Sequence, residues 1–308
     1  YLSEFREIRK KNPDFIKLCL NENIVPEITL QPLKRFNFDA AIIFSDILIV
    51  PYGLGQDVTF SKGFGPKLGK INIDEISKVK PIEFTDRVQS VYKAIQITSK
   101  NDLLKNKDLI GFVGAPWTLL VYMINKISPK NNLKENFFED KILIKELIQV
   151  VKNFIKIHID QQIKSGSTII QIFDSWAGLL NEKDLNEYVY EPTKEIVNHI
   201  KSLDTTVICF PRGIKNYKEF VNYVKPNAVN IDYEVDPKEI LGKIDIPIQG
   251  GMDPKILLSD KDHLKKESIK YLEIFKDHPY IFNLGHGILP ETKPEMVSYL
   301  VDIVKNYK

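Results

Sequence analysis

The sequence predicts a parallel α/β protein, and two observations carry that prediction. Short apolar runs of strand length alternate with longer helical patterns, and no linker or change in composition divides them. Seven strand-plus-helix units fit within 308 residues, a length typical of a (β/α)8 barrel. We therefore expect one (β/α)8 TIM-type barrel domain over residues 1–308, with its first strand missing or truncated at the N-terminus. An open doubly wound sheet is less favoured, because no G-x-G-x-x-G turn follows the first strand.

The first predicted strand carries the most informative residue. Residues 40–44 form a short apolar run, which suits a central strand covered on both faces. The run ends at Ser45-Asp46, and apolar residues resume at once. A buried carboxylate needs a hydrogen-bonding partner, so Asp46 is held either by nearby backbone N–H groups or by a ligand. We favour a ligand, because polar groups recur at the ends of the later strands.

The remaining elements follow from periodicity, caps and breakers. Residues 1–37 are expected to be helical with an interruption at 29–33, residues 52–70 to form an irregular glycine-rich loop, and residues 128–140 to be a polar surface excursion. The later strands are predicted at 109–113, 168–173, 206–210, 228–231, 246–248 and 280–284. Helices are predicted over 86–99 after a Thr85 cap, from 119, over 141–164, over 181–202, after Asp236 and Asp253, over 261–276 after Ser259 and Asp262 caps, and from about 294.

Composition excludes several classes of protein. A net charge of +2 argues against nucleic acid as the main partner. Two cysteines are too few for a disulfide framework or a cysteine-based zinc site, which fits a reducing, cytoplasmic setting. No apolar run approaches the length of a membrane span, and no signal peptide is evident.

Active sites of barrels form at the carboxyl ends of the strands. The polar candidates there are Asp46, Tyr122, Ser175, Arg212, Asp232, Tyr233 and His286. Each has a structural alternative: a packed histidine, a core tyrosine, a helix-capping serine or an arginine paired with a neighbouring acid. A Ser–His–Asp hydrolase is disfavoured because no G-x-S-x-G elbow surrounds Ser175. A metal site is disfavoured because His286 has no second histidine at ligand spacing.

Six motifs together resemble the uroporphyrinogen decarboxylase family, and bacterial members most. They are FSDILIVPYGLG, GAPWTLLVYM, FDSWAG, FPRG, QGGMDP and FNLGHGILP, at residues 44–55, 114–123, 173–178, 210–213, 249–254 and 282–290. The opening YLSEFREIR is similar to the segment that follows the first strand in that family. The resemblance runs from Tyr1 to the last helix.

This resemblance implies a single (β/α)8 barrel, a homodimer, and no metal or organic cofactor. It implies removal of carbon dioxide from the four acetate side chains of uroporphyrinogen, which gives coproporphyrinogen for haem and chlorophyll synthesis. Family roles transfer to Asp46 as the catalytic and substrate-binding acid. The other substrate-binding positions implied are Tyr122, Ser175, His286, Phe173 and Arg9.

The family normally carries a pair of arginines just before the position of Tyr1, and we expect that segment to lie upstream of the sequence given. Two rival functions remain. A zinc-dependent corrinoid or thiol methyltransferase of the same superfamily would need a cysteine and histidine ligand set, but Cys209 has no neighbouring histidine. A tetrapyrrole-binding protein without turnover is the other.

Overall fold

The computed structural model describes residues 1–61, 64–129 and 132–307. It confirms an α/β fold built on a curled, seven-stranded parallel sheet. The strands are β1 (Ala40–Ile42), β2 (Val58–Ser61), β3 (Gly65–Leu68), β4 (Asp108–Gly114), β5 (Ile169–Asp174), β6 (Thr206–Pro211), β7 (Ala228–Ile231), β8 (Ile248–Gly250) and β9 (Tyr280–Ile281). The sheet order is β1-β4-β5-β6-β7-β8-β9, so each strand pairs with its neighbours in the chain, and β2 and β3 form a separate antiparallel hairpin.

Helices separate the strands of the sheet. They are α1 (Ser3–Lys11), α2 (Phe15–Cys19), α3 (Ile24–Phe36), α4 (Ile49–Gly53), α5 (Ile73–Ile76), α6 (Pro81–Ser99), α7 (Pro116–Asn125), α8 (Lys141–Lys164), α9 (Glu182–Leu185), α10 (Glu191–Ser202), α11 (Tyr217–Val224), α12 (Pro237–Ile240), α13 (Lys261–Phe275) and α14 (Pro294–Asn306). A π-helical segment, Asn186–Tyr190, joins α9 to α10. Short 3-10 turns cover Asp102–Leu104, Ala177–Leu179 and Pro254–Leu258.

Strand register separates the inner face of the sheet from the helix-packed face. A Cβ on Gly111 would collide with the side chain of Gln162 on α8, so Gly111 faces the helices and Phe112 faces inward. Phe112 pairs with Gln171, and Phe173, two residues on, pairs with Phe210. Because side chains alternate along a strand, these residues line the inside of the curled sheet.

The sheet is open between β1 and β9, which do not pair with each other among the described residues. Ile42 lies on the inner face, since it pairs with Ile110 two residues before Phe112. Ile281 lies there too, because it pairs with Gln249. These side chains remain 44% and 43% exposed. The prediction that the first strand is central is therefore wrong for this structure, in which β1 is an edge strand.

Two polar side chains end the pairing of β1 with β4. After Ile43 donates to the carbonyl of Ile110, the N–H of Phe44 donates instead to the Thr29 hydroxyl at 3.0 Å. At the next position of β4, the backbone of Phe112 bonds to the side chain of Gln162 instead of to β1. The Gln162 side chain accepts from the N–H of Phe112 at 2.9 Å and donates to its carbonyl at 3.0 Å. The chain is thereby turned away from the sheet just before Asp46.

Several predicted boundaries near the N-terminal half are wrong. Helix α3 runs through Pro32, so the interruption predicted at 29–33 is absent, because burial of Leu30 and Leu33 outweighs one lost backbone hydrogen bond. Helix α6 begins at Pro81 rather than after Thr85. The predicted irregular loop contains α4 and the β2–β3 hairpin. Gly63, which belonged to that prediction, lies outside the described residues.

Later elements agree more closely with the predictions. Helix α8 and strand β7 have the predicted bounds. Helix α13 is capped by Asp260, which accepts from the N–H of His263, rather than by Ser259 or Asp262. Strand β8 lies two residues further along than predicted, and α11 was not predicted. In the predicted excursion at 128–140, whose residues 130 and 131 lie outside the described part, Phe137 is buried against Trp117.

Candidate functional site

The candidate site lies where the carboxyl ends of the seven parallel strands meet. Because the strands are parallel, the residues that follow each of them share one rim of the sheet. The predicted residues are distributed around that rim: Asp46 after β1, Tyr122 on α7 after β4, Phe173 and Ser175 at β5, Arg212 after β6, Asp232 and Tyr233 after β7, and His286 after β9. The strand order puts Asp46 and His286 on opposite sides of the opening.

Asp46 is half-buried, and its charge is only partly satisfied. The backbone N–H of Leu48 donates to Oδ1 at 2.8 Å. No ion pair among the described residues neutralises the carboxylate. Desolvation by the surrounding protein raises the pKa of this carboxyl to about 6, against the hydrogen bond from Leu48, which lowers it. At neutral pH the group is therefore an anion with an oxygen available to a ligand.

Arg9 approaches the same region from α1. Its guanidinium lies 5.3 Å from the ring centroid of Phe15 and donates to the carbonyl of Asn12. Burial raises the pKa of the Cys19 thiol, the charge of Asp46 raises it further, and the charge of Arg9 opposes this. The ring of Phe15 lies 5.8 Å from that of Phe44, two residues before Asp46, which places Arg9 on the Asp46 side of the rim.

Tyr122, on α7 at the rim, packs on Trp176. Burial raises the pKa of the phenol, and the carboxylate of Asp46 adds to the increase. The rings of Tyr122 and Trp176 meet edge to face with centroids 5.8 Å apart. The half-buried phenol is thus held by packing, and at neutral pH its hydroxyl is a hydrogen-bond donor.

Ser175 lies in a turn that is held on both sides. The Thr118 hydroxyl donates to Asp174 Oδ1 at 2.6 Å and accepts from the N–H of Trp176 at 3.1 Å. The indole N–H of Trp117 donates to the carbonyl of Trp176 at 2.9 Å. The hydroxyl of Ser175, by contrast, has no hydrogen bond to any residue in the described ranges. The turn is fixed while its hydroxyl stays available.

Asp174 is a site residue that the sequence analysis did not single out. It is buried, and burial raises the pKa of its carboxyl to about 7, although the Thr118 hydroxyl lowers it. Its Oδ2 is buried without a partner among the described residues. The sequence signal that could have identified Asp174 as a site residue is its position at the end of a predicted strand, next to Ser175. Through its hydrogen bond from Thr118, Asp174 helps to hold the turn at the rim in place.

Phe173 forms part of the inner wall. Its ring lies 5.6 Å from that of Phe112 and 6.3 Å from that of Phe210, both edge to face. The half-buried ring therefore offers apolar surface inside the rim. This placement fits a pocket wall.

His286 is exposed on a turn held close to β7. A Cβ on Gly285 would lie 2.4 Å from the backbone nitrogen of Tyr233, so only glycine allows this approach. The rings of His286 and Tyr233 lie 6.3 Å apart. Burial lowers the pKa of His286, and the charge of Arg212 lowers it further, while a hydrogen bond to the backbone of Gly287 and the charge of Asp232 oppose the shift.

Asp232 has a structural role in this arrangement. Its two oxygens accept from the N–H of Gly213 at 2.9 Å, the Tyr217 hydroxyl at 3.3 Å and the N–H of Glu234 at 2.9 Å. The carboxylate joins the loops after β6 and β7.

Other kinds of site find no support in the described residues. No group of three or more His, Cys, Asp or Glu side chains there is arranged to hold a metal ion. Ser175, His286 and Asp46 share no hydrogen bond in that part of the chain, so a hydrolytic triad is not formed. Every helix within the described ranges is too short or too polar to cross a membrane.

Two surface cavities lie away from the rim. One, of about 480 Å³, is bordered by Gln56, Asn72 and Arg87, and another, of about 710 Å³, by Tyr1 and Pro290. Neither is lined by the predicted site residues. The candidate site is therefore defined by the converging strand ends.

The fold and the rim define a class of protein, the α/β proteins in which polar residues gather at the carboxyl ends of a curled parallel sheet. A methyltransferase from Methanosarcina mazei superimposes with a TM-score of 0.78 at 14% sequence identity, over 98% of this chain and 90% of that one. A B12-independent methionine synthase from a Shewanella species gives a TM-score of 0.51 at 11% identity, over 92% of this chain and 87% of that one. At these identities the likeness concerns the fold.

The family model for uroporphyrinogen decarboxylase matches residues 1–307, and the chain belongs to that family.

Curated relatives agree with this assignment. A protein named uroporphyrinogen decarboxylase from Rickettsia bellii is 40% identical, over 100% of this chain and 92% of its own length. One from Wolbachia pipientis wMel is 41% identical, over 99% of this chain and 90% of its own length. The resemblance seen in the sequence motifs is therefore confirmed.

The glycines around His286 provide a test of how the turn is held. Gly285→Ala should lower the free energy of unfolding by about 1–3 kcal/mol, because the new methyl group overlaps the backbone of Tyr233. Gly287→Ala is the matched control, since nothing lies within 4 Å of its added Cβ; it should change stability by less than about 0.5 kcal/mol. Urea unfolding of both variants measures the difference, and equal effects would contradict the close approach.

The buried carboxyl of Asp174 predicts a pH dependence of stability. Its pKa is about 7 in the folded chain and 3.8 in the reference state, so the folded state binds more protons between these values. Ionisation therefore destabilises the fold as the pH rises through that window. Relative to Asp174→Asn, the native chain should lose stability from about pH 4 to about pH 7 and no further above it. Urea unfolding across this range measures the difference, and a constant offset would contradict it.

Proposed function

We propose that this chain decarboxylates the four acetate side chains of uroporphyrinogen III to give coproporphyrinogen III in tetrapyrrole biosynthesis. The observation that carries the proposal is Asp46, a half-buried carboxylate at the strand rim with no cation paired to it in the described part of the chain. Family membership supports the same activity. The enzyme is a carboxy-lyase.

The chemistry of the substrate matches an isolated carboxylate. The four pyrrole N–H groups of the flexible, non-aromatic macrocycle can turn inward toward a single acceptor. Hydrogen bonds from N–H groups to an ionised carboxylate are stronger than those between neutral groups. Asp46 is therefore suited to hold the centre of the ring, with Oδ1 retaining its bond from Leu48.

The atoms and electrons of each decarboxylation balance without an electron carrier. A proton adds to a pyrrole ring carbon and makes the ring a cation, the bond between the acetate methylene and its carboxylate breaks, and the electron pair flows into the ring as carbon dioxide leaves. A second proton adds to the exocyclic methylene and the ring proton is lost, so one proton is consumed and a methyl group forms. A fixed carboxylate beside the cation stabilises the transition state.

The other rim residues suit substrate binding. The hydroxyls of Tyr122 and Ser175, the imidazole of His286 and the guanidinium of Arg9 can bind acetate and propionate carboxylates and set the rotation of the ring. Phe173 offers an apolar wall for the macrocycle. A half-buried site strengthens these interactions because water screens them less.

A zinc-dependent methyl transfer is the alternative within the same fold. The described residues around Cys209 provide no metal-ligand group, and the similarity to a methyltransferase rests on the fold at 14% identity. Zinc content after purification tests this alternative: stoichiometric zinc bound through Cys209 would favour methyl transfer.

The proposal includes a complete (β/α)8 barrel, in one domain, closed by an eighth parallel strand between β1 and β9. Exposed inner-face side chains on both edge strands, Ile42 and Ile281, support it. The relatives are also longer, since this chain spans 90–92% of their length.

The enzyme is further proposed to be a cytoplasmic homodimer, which sedimentation at assay concentrations and cell fractionation would test.

Amide hydrogen exchange tests the closing strand. A chain extended at its N-terminus should protect the amides of β1 and β9 more strongly than the 308-residue chain does, because their free edges become paired. Amides of β5, which has neighbours on both sides, serve as the internal control. Unchanged exchange at both edges would contradict the closing strand.

Asp46→Asn tests the mechanism. The variant keeps the acceptor for Leu48 but lacks the charge, so turnover of uroporphyrinogen should fall by roughly 100- to 1,000-fold while the fold is retained. Chromatography of coproporphyrinogen and release of carbon dioxide measure turnover, and circular dichroism checks the fold. In the native chain, kcat/KM should also decline as the pH falls below about 6, because protonation of Asp46 removes the charge.

The matched control is Asp277→Asn, an exposed acid after α13, which should retain turnover. Near-normal turnover by Asp46→Asn would argue against the mechanism. Absence of turnover in the native chain, together with retained binding of the substrate, would instead favour a tetrapyrrole-binding protein.

A further inference from the structure

The turn that carries Ser175 is joined to the first turn of α7 by hydrogen bonds on both sides of that serine. The Thr118 hydroxyl donates to Asp174 Oδ1 at 2.6 Å and accepts from the backbone N–H of Trp176 at 3.1 Å. One side chain therefore holds both the residue before Ser175 and the residue after it. Thr118 is fully buried, and hydrogen bonds are stronger in such surroundings than in water.

Two further hydrogen bonds join the same segments without the Thr118 hydroxyl. The N–H of Ala115 donates to the carbonyl of Phe173 at 2.8 Å, and the indole N–H of Trp117 donates to the carbonyl of Trp176 at 2.9 Å. We therefore expect α7 to stay packed against the turn when that hydroxyl is removed. What the hydroxyl adds is the exact position of the turn.

Tyr122 lies on the same helix, one turn beyond Thr118. Residues four apart share a helix face, and the Tyr122 ring meets the Trp176 ring edge to face with centroids 5.8 Å apart. Thr118 thus contacts the backbone of Trp176, and Tyr122 contacts its side chain. The positions of the Tyr122 and Ser175 hydroxyls therefore depend on a shared set of contacts.

The carboxyl of Asp174 depends on Thr118 as well. Its Oδ2 is buried without a partner among the described residues, while Oδ1 accepts from the Thr118 hydroxyl. A valine at position 118 would have a similar shape but could neither donate nor accept a hydrogen bond. The turn would then lose its tie to the helix on both sides of Ser175.

We propose that Thr118 is a positioning residue that fixes the Ser175 hydroxyl relative to the Tyr122 hydroxyl, so that both can bind carboxylates of one substrate molecule. The inference rests on the function proposed above, in which these hydroxyls bind acetate or propionate groups. Thr118 is buried, so it acts through the turn and the helix that it joins. Two hydroxyls held at a fixed spacing lose less conformational entropy on binding than two that move independently.

Equilibrium binding of uroporphyrin, the oxidised form that is not decarboxylated, measures this positioning through a double-mutant cycle. In the native background, Ser175→Ala should weaken binding about tenfold, the size expected for one lost hydrogen bond to a carboxylate. In the Thr118→Val background, the same change should weaken binding less than about threefold, because the serine is no longer held in place. Tyr122→Phe should show the same reduction between the two backgrounds.

Two variants control the cycle. Thr118→Ser keeps the hydroxyl and should restore the affinity of the native chain and the full effect of Ser175→Ala. Thr98→Val is the matched control, because Thr98 is equally buried but donates to the carbonyl of Ala94 in its own helix, α6, at 2.7 Å. It should lower stability without changing the effect of Ser175→Ala.

A second variant serves if Thr118→Val does not fold. Combining Thr118→Val with Asp174→Leu replaces both partners of the 2.6 Å hydrogen bond with apolar groups, so no buried carboxyl is left without its donor. The cycle with Ser175→Ala is then measured in this background. The expected result is the same reduced effect.

The outcomes separate this inference from the proposed function. An effect of Ser175→Ala that shrinks in Thr118→Val and returns in Thr118→Ser supports the positioning role, even if the native chain binds uroporphyrin without turning over uroporphyrinogen and the proposed function is lost. An equal effect in every background overturns it, because Thr118 then contributes only stability. A reduction as large in Thr98→Val, or no uroporphyrin binding by the native chain, overturns it too.

Discussion

The structure depends on one electrostatic constraint, an anionic carboxylate kept at the strand rim with no ion pair to it among the described residues. Asp46 is anchored through one backbone hydrogen bond, and desolvation raises its pKa only to about 6, so it remains ionised at neutral pH. A lysine or arginine bound to it would make the charge unavailable to a ligand. The local chain supports this exposure, because Thr29 and Gln162 end the pairing of β1 with β4 just before the acid.

In much of the remaining rim, the backbone is held in place by polar side chains that do not themselves face a ligand. Thr118 and Asp174 hold the turn that carries Ser175, and Asp232 joins the loops after β6 and β7. These groups are buried and hydrogen-bonded, which makes them costly to disturb. Among the residues proposed to contact substrate, by contrast, Asp46 keeps an oxygen available, and the Ser175 hydroxyl has no hydrogen bond within the described ranges.

Sequence patterns predicted the elements whose signals are local. The period of α8, the apolar run of β7 and the Asp-Pro openings before α12 and the 3-10 turn at Pro254–Leu258 all appear where expected. Patterns failed where tertiary packing outweighs local preference. Pro32 lies inside a helix because its neighbours are buried. The glycine-rich loop contains a hairpin that is held to the end of α7, where the N–H of Leu68 donates to the carbonyl of Lys126 at 2.7 Å.

The sequence by itself determined the family, the parallel α/β architecture and the residue types at each strand end, because motifs and periodicity are written in neighbouring residues. Only the tertiary structure decided which polar side chains have their hydrogen bonds satisfied within the protein. Asp232 and Asp46 look alike in the sequence, since each follows an apolar strand. Each accepts from a backbone N–H two residues on, but Asp232 also accepts from Gly213 and Tyr217, which follow another strand, while Asp46 has no such further donor among the described residues. Whether a charge is available depends on partners distant in the chain, and only folding brings those partners together.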